Sequence, residues 1–337
     1  MSRVSVLGAG TWGIALARVL NKNGHDVTIW SALKDEIDML NTNHEHKMLP
    51  GVKIDESIKY TCDDEEAVKD MDLVVMAVAS KYTRSTANRF AKIVKKGQLI
   101  VDVAKGIEED SLKTLSQIIE EEIPDANVCV LSGPSHAEEV IRDIPTTIVA
   151  GAHRKKDAEF IQTLFMNENF RVYTSPDMLG MELGAALKNV VALAAGAADG
   201  LGYGDNTKAA LITRGIAEIK RLAVAMGCNP ETINGLTGMG DLIVTCASMH
   251  SRNRRAGILI GQGMSCEDAM KEVKMVVEGV YSAKAALQLS KKYNVNLPII
   301  EQVNLVLFEG KNPADAVKEL MLRDKKIEIS DSMWDKE

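Results

Sequence analysis

Short apolar runs and longer amphipathic stretches alternate along the first half of the chain. The runs cover residues 4–7, 27–30, 73–78, 99–103, 128–131 and 146–149, and they are rich in β-branched residues. Strands that are apolar at every position are covered on both faces. The alternation therefore predicts an α/β domain with a doubly wound, mostly parallel sheet. After Pro176 the texture changes to Ala- and Leu-rich segments at 178–198, 207–226, 251–260, 280–292 and 298–308, which predict an all-α second domain. Proline disfavours helix in the residue before it and suits the first turn of one. The boundary is thus expected at Ser175-Pro176, giving domains of residues 1–175 and 176–337. A length of 337 residues suits two domains, and no repeat or low-complexity linker separates them.

Composition narrows the function classes. Apolar residues make up 46% and charged residues 26%, which is ordinary for a globular protein with a large core. The 40 Lys and Arg against 47 Asp and Glu leave a charge of −7, which disfavours nucleic acid and anionic membranes as partners. Five scattered cysteines without a C-x-x-C pair indicate neither a disulfide framework nor a zinc site, so a reducing cytoplasm is expected. The apolar stretches read as stopping short of the ~20 residues of a membrane span, and the N-terminus enters a strand at once. His44-Glu45-His46 has the wrong spacing for one helix face, so no metal is expected. The 16 methionines read as core filler.

Four segments carry candidate chemistry. Gly8-Ala9-Gly10-Thr11-Trp12-Gly13 follows the first predicted strand and opens a helix ending near Gly24. A G-x-G-x-x-G in that context turns tightly at Gly8, lets a pyrophosphate approach at Gly10, and allows helix and strand to pack at Gly13. The alternative is a glycine turn without a ligand. Dinucleotide sites selective for NAD place an acidic residue at the end of the second strand. Here that strand runs into Trp30-Ser31-Ala32-Leu33-Lys34, with no carboxylate to repel a 2′-phosphate and no arginine to select one. NADP is therefore permitted, with Ser31 or Lys34 expected near its 2′-phosphate.

In the helical half, the sixteen residues 183–198 hold one charge, Lys188, beside one amide, Asn189. A lysine on a helix apolar all round either snorkels to water or lines a polar cleft, where desolvation lowers its pKa toward proton-transfer duty. Ser251-Arg252-Asn253-Arg254-Arg255 places three arginines at a helix start with a serine cap. It reads as a pocket for a small anion or as a solvated basic face. Asp241 shares a face with Thr245 if a helix starts there, as a polar partner or as a plain cap.

These motifs resemble the bacterial NAD(P)-dependent glycerol-3-phosphate dehydrogenases, over residues 4 to about 322. The similarity lies in GAGTWG at 8–13, AKGIE at 104–108, SGPSHAEEV at 132–140, the run ELGAALKN to ITRG at 182–215, GLTGMGDLIVTC at 235–246, SRN at 251–253 and VVEG at 276–279. The resemblance implies a Rossmann domain followed by an all-α domain and a homodimer. It also implies reduction of dihydroxyacetone phosphate to sn-glycerol 3-phosphate for phospholipid synthesis. By that resemblance Lys188 is the proton donor and acceptor, with Lys105 and Asp241 beside it. Gly133, Ser135, Asn189, Thr245, Ser251, Arg252 and Asn253 would surround the substrate. Thr11, Trp12, Lys105, Ala137, Arg252, Val276 and Glu278 would contact the cofactor, with Gly8, Gly10, Gly13 and Ser31. The chain departs at His136, where many members carry Phe, at Thr237, where Ala is common, and at Ala32, where an Arg or His often meets the adenosine end. Two rival readings remain: another Rossmann-plus-helical hydroxy-acid dehydrogenase, and a non-catalytic NAD(P) sensor, for which Lys105, Lys188 and Asp241 need not share a cleft.

Overall fold

A computed structural model describes residues 1–325, 327 and 328; residues 326 and 329–337 of the expected second domain lie outside the described residues. Eight strands form one sheet: β1 (Arg3–Leu7), β2 (Asp26–Trp30), β3 (Lys59–Thr61), β4 (Leu73–Met76), β5 (Leu99–Asp102), β6 (Asn127–Ser132), β7 (Thr146–Ala152) and β8 (Phe170–Ser175). Their order is β3-β2-β1-β4-β5-β6-β7-β8. Neighbours run parallel except at β6 and β7, which pair antiparallel, so β7 and β8 run against the other six. The six predicted runs all form strands. β3 is only three residues long, and β8 is an edge strand that alternates buried Phe170 and Val172 with exposed Arg171 and Tyr173; neither shows as an apolar run.

Both faces of the sheet are covered except at the edge strand β8, one face of which meets solvent. One face packs Val4, Val6, Val27 and Ile29 against Ile14, Leu16 and Leu20 of the helix Thr11–Lys22. The other packs Leu7, Val74 and Ile100 against Ala87, Phe90 and Ile119 from the helices Thr83–Phe90 and Leu115–Glu122. Met178 and Met181 join this second core from the helix Met178–Gly200, and Gly151 on β7 leaves the room that the Met181 thioether fills.

That helix, called the central helix below, is buried on nearly every side. Its 23 residues are long and apolar enough to cross a membrane, which corrects the expectation that no stretch reaches that length; its many Ala and Gly residues hide the length from a search for Leu- and Val-rich runs. The share of its most apolar stretch that is buried inside the protein is 89%. The predicted helices Asp205–Ala225, Arg252–Gly261, Glu278–Tyr293 and Pro298–Phe308 pack around it. Shorter ones at Pro230–Asn234, Asp241–Ala247, Cys266–Val273 and Pro313–Met321 complete this half.

The closest crossing is between the central helix and Arg252–Gly261. A Cβ at Gly196 would strike the Arg254 carbonyl oxygen, and one at Gly257 would strike that of Leu193. Gly200 and Gly261 are confined in the same way by Ile258 and Ala197. Backbone meets backbone here, which fixes the start of the second helix relative to Lys188. Gly257→Ala is expected to cost about 1–3 kcal/mol of stability, as overpacking of a tight core does. Urea denaturation checks this; an unchanged midpoint would mean that the helices tolerate a wider separation.

Candidate active site

Gly8 has a φ of 124° and lies so close to β4 that a Cβ would stand 2.7 Å from the Ala77 carbonyl oxygen, so only glycine can make this turn. Its amide donates to the Trp30 carbonyl (2.8 Å), which ties the turn to the end of β2. Gly13 packs its Cα against Gly8, whereas Gly10 faces open space with nothing within 4 Å of where its Cβ would be. The helix Thr11–Lys22 then begins with no side-chain cap and no acidic residue in its first turn. Free amides and the positive end of a helix therefore border the space beside Gly10, which fits a dinucleotide diphosphate.

The same cleft continues for about 300 Å³ between sheet and helices, with Thr11, Trp12, Lys105, Lys188 and Arg252 among its walls. Its floor is a charged set built from three elements. The Lys188 ammonium, on the central helix and 5% exposed, donates to Asp241 Oδ1 (2.7 Å) and Thr245 Oγ1 (2.6 Å). The Lys105 ammonium, on the loop after β5, donates to Asp241 Oδ2 (2.6 Å) and to the Gly133 carbonyl (2.9 Å). Thr245 Oγ donates in turn to the Asp241 carbonyl (2.6 Å), so each of these polar groups has a partner. Asp241 opens the helix Asp241–Ala247 but does not cap it, since Gly240 holds that position; its carboxylate is spent on the two lysines.

Burial pushes the Lys188 ammonium down to about 8, with the Asp241 carboxylate resisting and Lys105 adding to the fall. Burial alone would raise the Asp241 carboxyl, but the two ammonium groups hold it below the ordinary carboxylate range. With Lys188 protonated the set carries one net positive charge, and a pKa of about 8 brings the loss of that proton close to neutral pH.

Arginines form the opposite wall. Ser251 caps the helix Arg252–Gly261 by accepting from the Arg254 amide (3.1 Å). Arg254 turns away to Asp199 (2.8 Å). Arg252 and Arg255 line the cleft, and among the described residues Arg252 makes no salt bridge or side-chain hydrogen bond. Burial lowers the Arg252 pKa against the pull of Glu278, a guanidinium that lacks a matching anion. Asn253 donates to Asn189 Oδ1 (2.9 Å) and accepts from the Gly279 amide (2.8 Å), joining three helices at the cleft wall.

The remaining expected residues divide between wall and support. Ser135 and Ala137 line the cleft, and Ser135 Oγ donates to the Gly133 carbonyl (2.9 Å). Gly133, Gly8, Gly13, Asp241 and Val276 stand behind the wall, with Met275 beside Val276 reaching it. Glu278 reaches the cleft and binds the hydroxyl and amide of Ser80. Sequence reasoning missed His250 and a role for His136, and it did not set Arg255 apart from its arginine cluster. The two imidazoles lie with centroids 5.7 Å apart and their planes tilted by 55°, and His136 Nε2 is buried without a partner among the described residues.

Ser31 is not among the cleft residues. It is buried, its hydroxyl donates to Glu36 Oε2 (2.8 Å) and accepts from the Leu33 amide (3.1 Å), and Lys34 binds both carboxylate oxygens of Asp38. The reading that no carboxylate stands at the end of β2 is thereby corrected. None follows directly in sequence, but the first turn of the helix Lys34–Asn43 folds Glu36 back onto Ser31.

A Rossmann turn opening onto a buried ammonium and an unpaired guanidinium defines a dinucleotide-dependent oxidoreductase. Residues 3–158 match the model of the NAD-dependent glycerol-3-phosphate dehydrogenase N-terminus and residues 177–318 that of its C-terminus, and the chain belongs to this family. It is 65% identical over 335 residues to the glycerol-3-phosphate dehydrogenase [NAD(P)+] of Agathobacter rectalis, covering 99% of this chain and 100% of that one. The Bacillus subtilis enzyme of the same name is 53% identical over 335 residues, covering 98% and 97%. The crystal structure of glycerol-3-phosphate dehydrogenase from Coxiella burnetii superposes with a TM-score of 0.92 at 33% identity, covering 96% of this chain and 99% of that one.

Because the Asp241 carboxylate supports the charged form of Lys188, Asp241→Asn is expected to lower the lysine's pKa further. The alkaline limb of ketone reduction should then move below pH ~8. A pH profile of kcat/KM for both proteins measures the displacement, and an unmoved limb would separate Lys188 from Asp241.

Proposed function

We propose that the chain catalyses the reversible NAD(P)-dependent reduction of dihydroxyacetone phosphate to sn-glycerol 3-phosphate, with Lys188 as proton donor and acceptor. The observation that carries the reading is the Lys188 ammonium on the cleft wall, held by Asp241 and Thr245. Residues 1–175 hold the dinucleotide and residues from 176 onward bring the proton-transfer group and the phosphate grip. When bound, the dinucleotide supplies or accepts the hydride. Gly10 and the uncapped amides of Thr11 and Trp12 hold its diphosphate.

Arg252, unpaired and backed by Arg255, grips the substrate phosphate and orients the far end of the molecule. Lys188 polarises the carbonyl oxygen and delivers a proton as the alkoxide develops; in the reverse direction its free amine takes the hydroxyl proton. Lys105 and Thr245 keep Asp241 and Lys188 in register. The hydrogen-bonded set of Lys105, Lys188 and Asp241 speaks against a sensor, which has no use for it. The unpaired arginines favour a phosphorylated substrate over a plain hydroxy acid. A role in phospholipid synthesis, a cytoplasmic location and a homodimer belong to the same proposal, and the free state of Cys62, Cys129, Cys228, Cys246 and Cys266 agrees with a reducing compartment.

Following the absorbance of reduced nicotinamide with dihydroxyacetone phosphate tests the activity directly. Lys188→Ala should lose ~10²–10⁴-fold in kcat while keeping its fold and its dinucleotide binding. In the parent, reduction needs the ammonium and should fail as pH rises through about 8, whereas oxidation needs the amine and should fail as pH drops through the same value. Turnover within a few-fold of the parent would make Lys188 structural.

A charge-assisted bond is worth about 1.5–3 kcal/mol. Arg252→Ala is therefore expected to lower kcat/KM for dihydroxyacetone phosphate at least tenfold and to affect unphosphorylated dihydroxyacetone much less. Equal losses on both would move Arg252 from the phosphate to the cofactor or the fold.

A further inference from the structure

From the carboxylate at the end of β2 we infer that this chain prefers NADH to NADPH, with Glu36 as the residue that discriminates; the inference rests on the dinucleotide reading of the cleft. The Gly8 amide holds the Trp30 carbonyl, so Ser31 and Glu36 lie directly beside the glycine turn, where an adenosine ribose bound to such a fold is read. Three observations set the choice at that place.

The Ser31 hydroxyl is fully committed. Its proton goes to Glu36 Oε2 and a lone pair takes the Leu33 amide, which leaves it nothing to donate to a phosphate. Glu36 Oε1 has no hydrogen-bond partner among the described residues and is free to accept from a ribose 2′-hydroxyl.

The local field is negative. Residues 31–38 carry three carboxylates and residues 62–66 carry four, against the single ammonium of Lys34. These two segments meet, because the Ser31 amide donates to the Thr61 carbonyl at the end of β3 (3.2 Å), and Thr61 Oγ donates to Glu66 (2.6 Å).

The neighbouring cations are occupied. Lys34 is bound to Asp38, and Arg89, stacked over Trp30, is bound to Asp64 (2.6 Å). His46, which faces Glu36, is shifted by burial toward its neutral form. A 2′-phosphate dianion would enter this carboxylate-rich neighbourhood without a partner, while a 2′-hydroxyl would gain one. Like charges brought together strongly disfavour the wrong ligand, so discrimination of at least tenfold is expected.

Fluorescence titration of the purified chain with NADH and with NADPH tests this, together with kcat/KM for each. The parent should bind NADH at least tenfold more tightly, and high salt should narrow the gap by screening the carboxylates. Glu36→Gln keeps an acceptor for Ser31 but removes the charge, and should shrink the NADH to NADPH ratio at least tenfold, chiefly by improving NADPH. Glu36→Lys should carry the ratio further the same way. Equal binding of the two dinucleotides by the parent, or a ratio unmoved in both variants, overturns the inference and leaves the function standing. Binding of neither dinucleotide overturns both.

Discussion

One buried carboxylate links the helical half of this molecule to the loop that follows β5. Asp241 receives an ammonium from the loop after β5 through one oxygen and an ammonium from the central helix through the other. Charges this deep are expensive to desolvate, and they persist only because the geometry satisfies each of them. Removing the carboxylate would leave two like charges facing each other out of water. The link therefore does two things: it joins the two halves of the chain, and it supports the charged form of a lysine whose pKa burial lowers.

The opposite wall of the cleft is fixed by a different means. Glycines bring the central helix and Arg252–Gly261 into backbone contact, and Asn253 ties both to the start of Glu278–Tyr293. Arg252 and Lys188 thus sit on rigid elements whose separation has little freedom. A reaction that grips one end of a small molecule and transfers a proton at the other depends on that spacing, since small misplacements of reacting groups are costly in rate.

Much of this was legible in the sequence, for reasons that differ by element. Strands covered on both faces announce themselves as apolar runs, and a lysine isolated within an apolar helix marks either a snorkelling side chain or a polar cleft, of which the structure shows the second. β3 is too short to leave a pattern, β8 alternates because one face meets solvent, and the reversal of β7 and β8 is invisible because strand direction has no local signature. The cleft residue His136 precedes the short helix Ala137–Val140, whereas His250 and Arg255 flank and begin the helix Arg252–Gly261, so they meet only in three dimensions. Glu36 shows the same limit in miniature. Reading along the chain from Trp30 finds no acid, but one helical turn brings the carboxylate back to Ser31.

The burial of the central helix also has a temporal side. Apart from the sheet and the helix Leu115–Glu122, whose Ser116 binds Glu182, the helices that pack most closely on it come later in the chain, the last of them ending at Phe308. At a synthesis rate of ~5–20 residues per second, a segment hydrophobic enough to pass for a membrane span waits roughly 5–20 s before the last of its cover has been made. The Lys188 amine, later sealed against water, spends that interval on a bare helix. A chain that stopped short of the last helices would leave part of the central helix exposed, and an exposed apolar segment of that length is prone to aggregate.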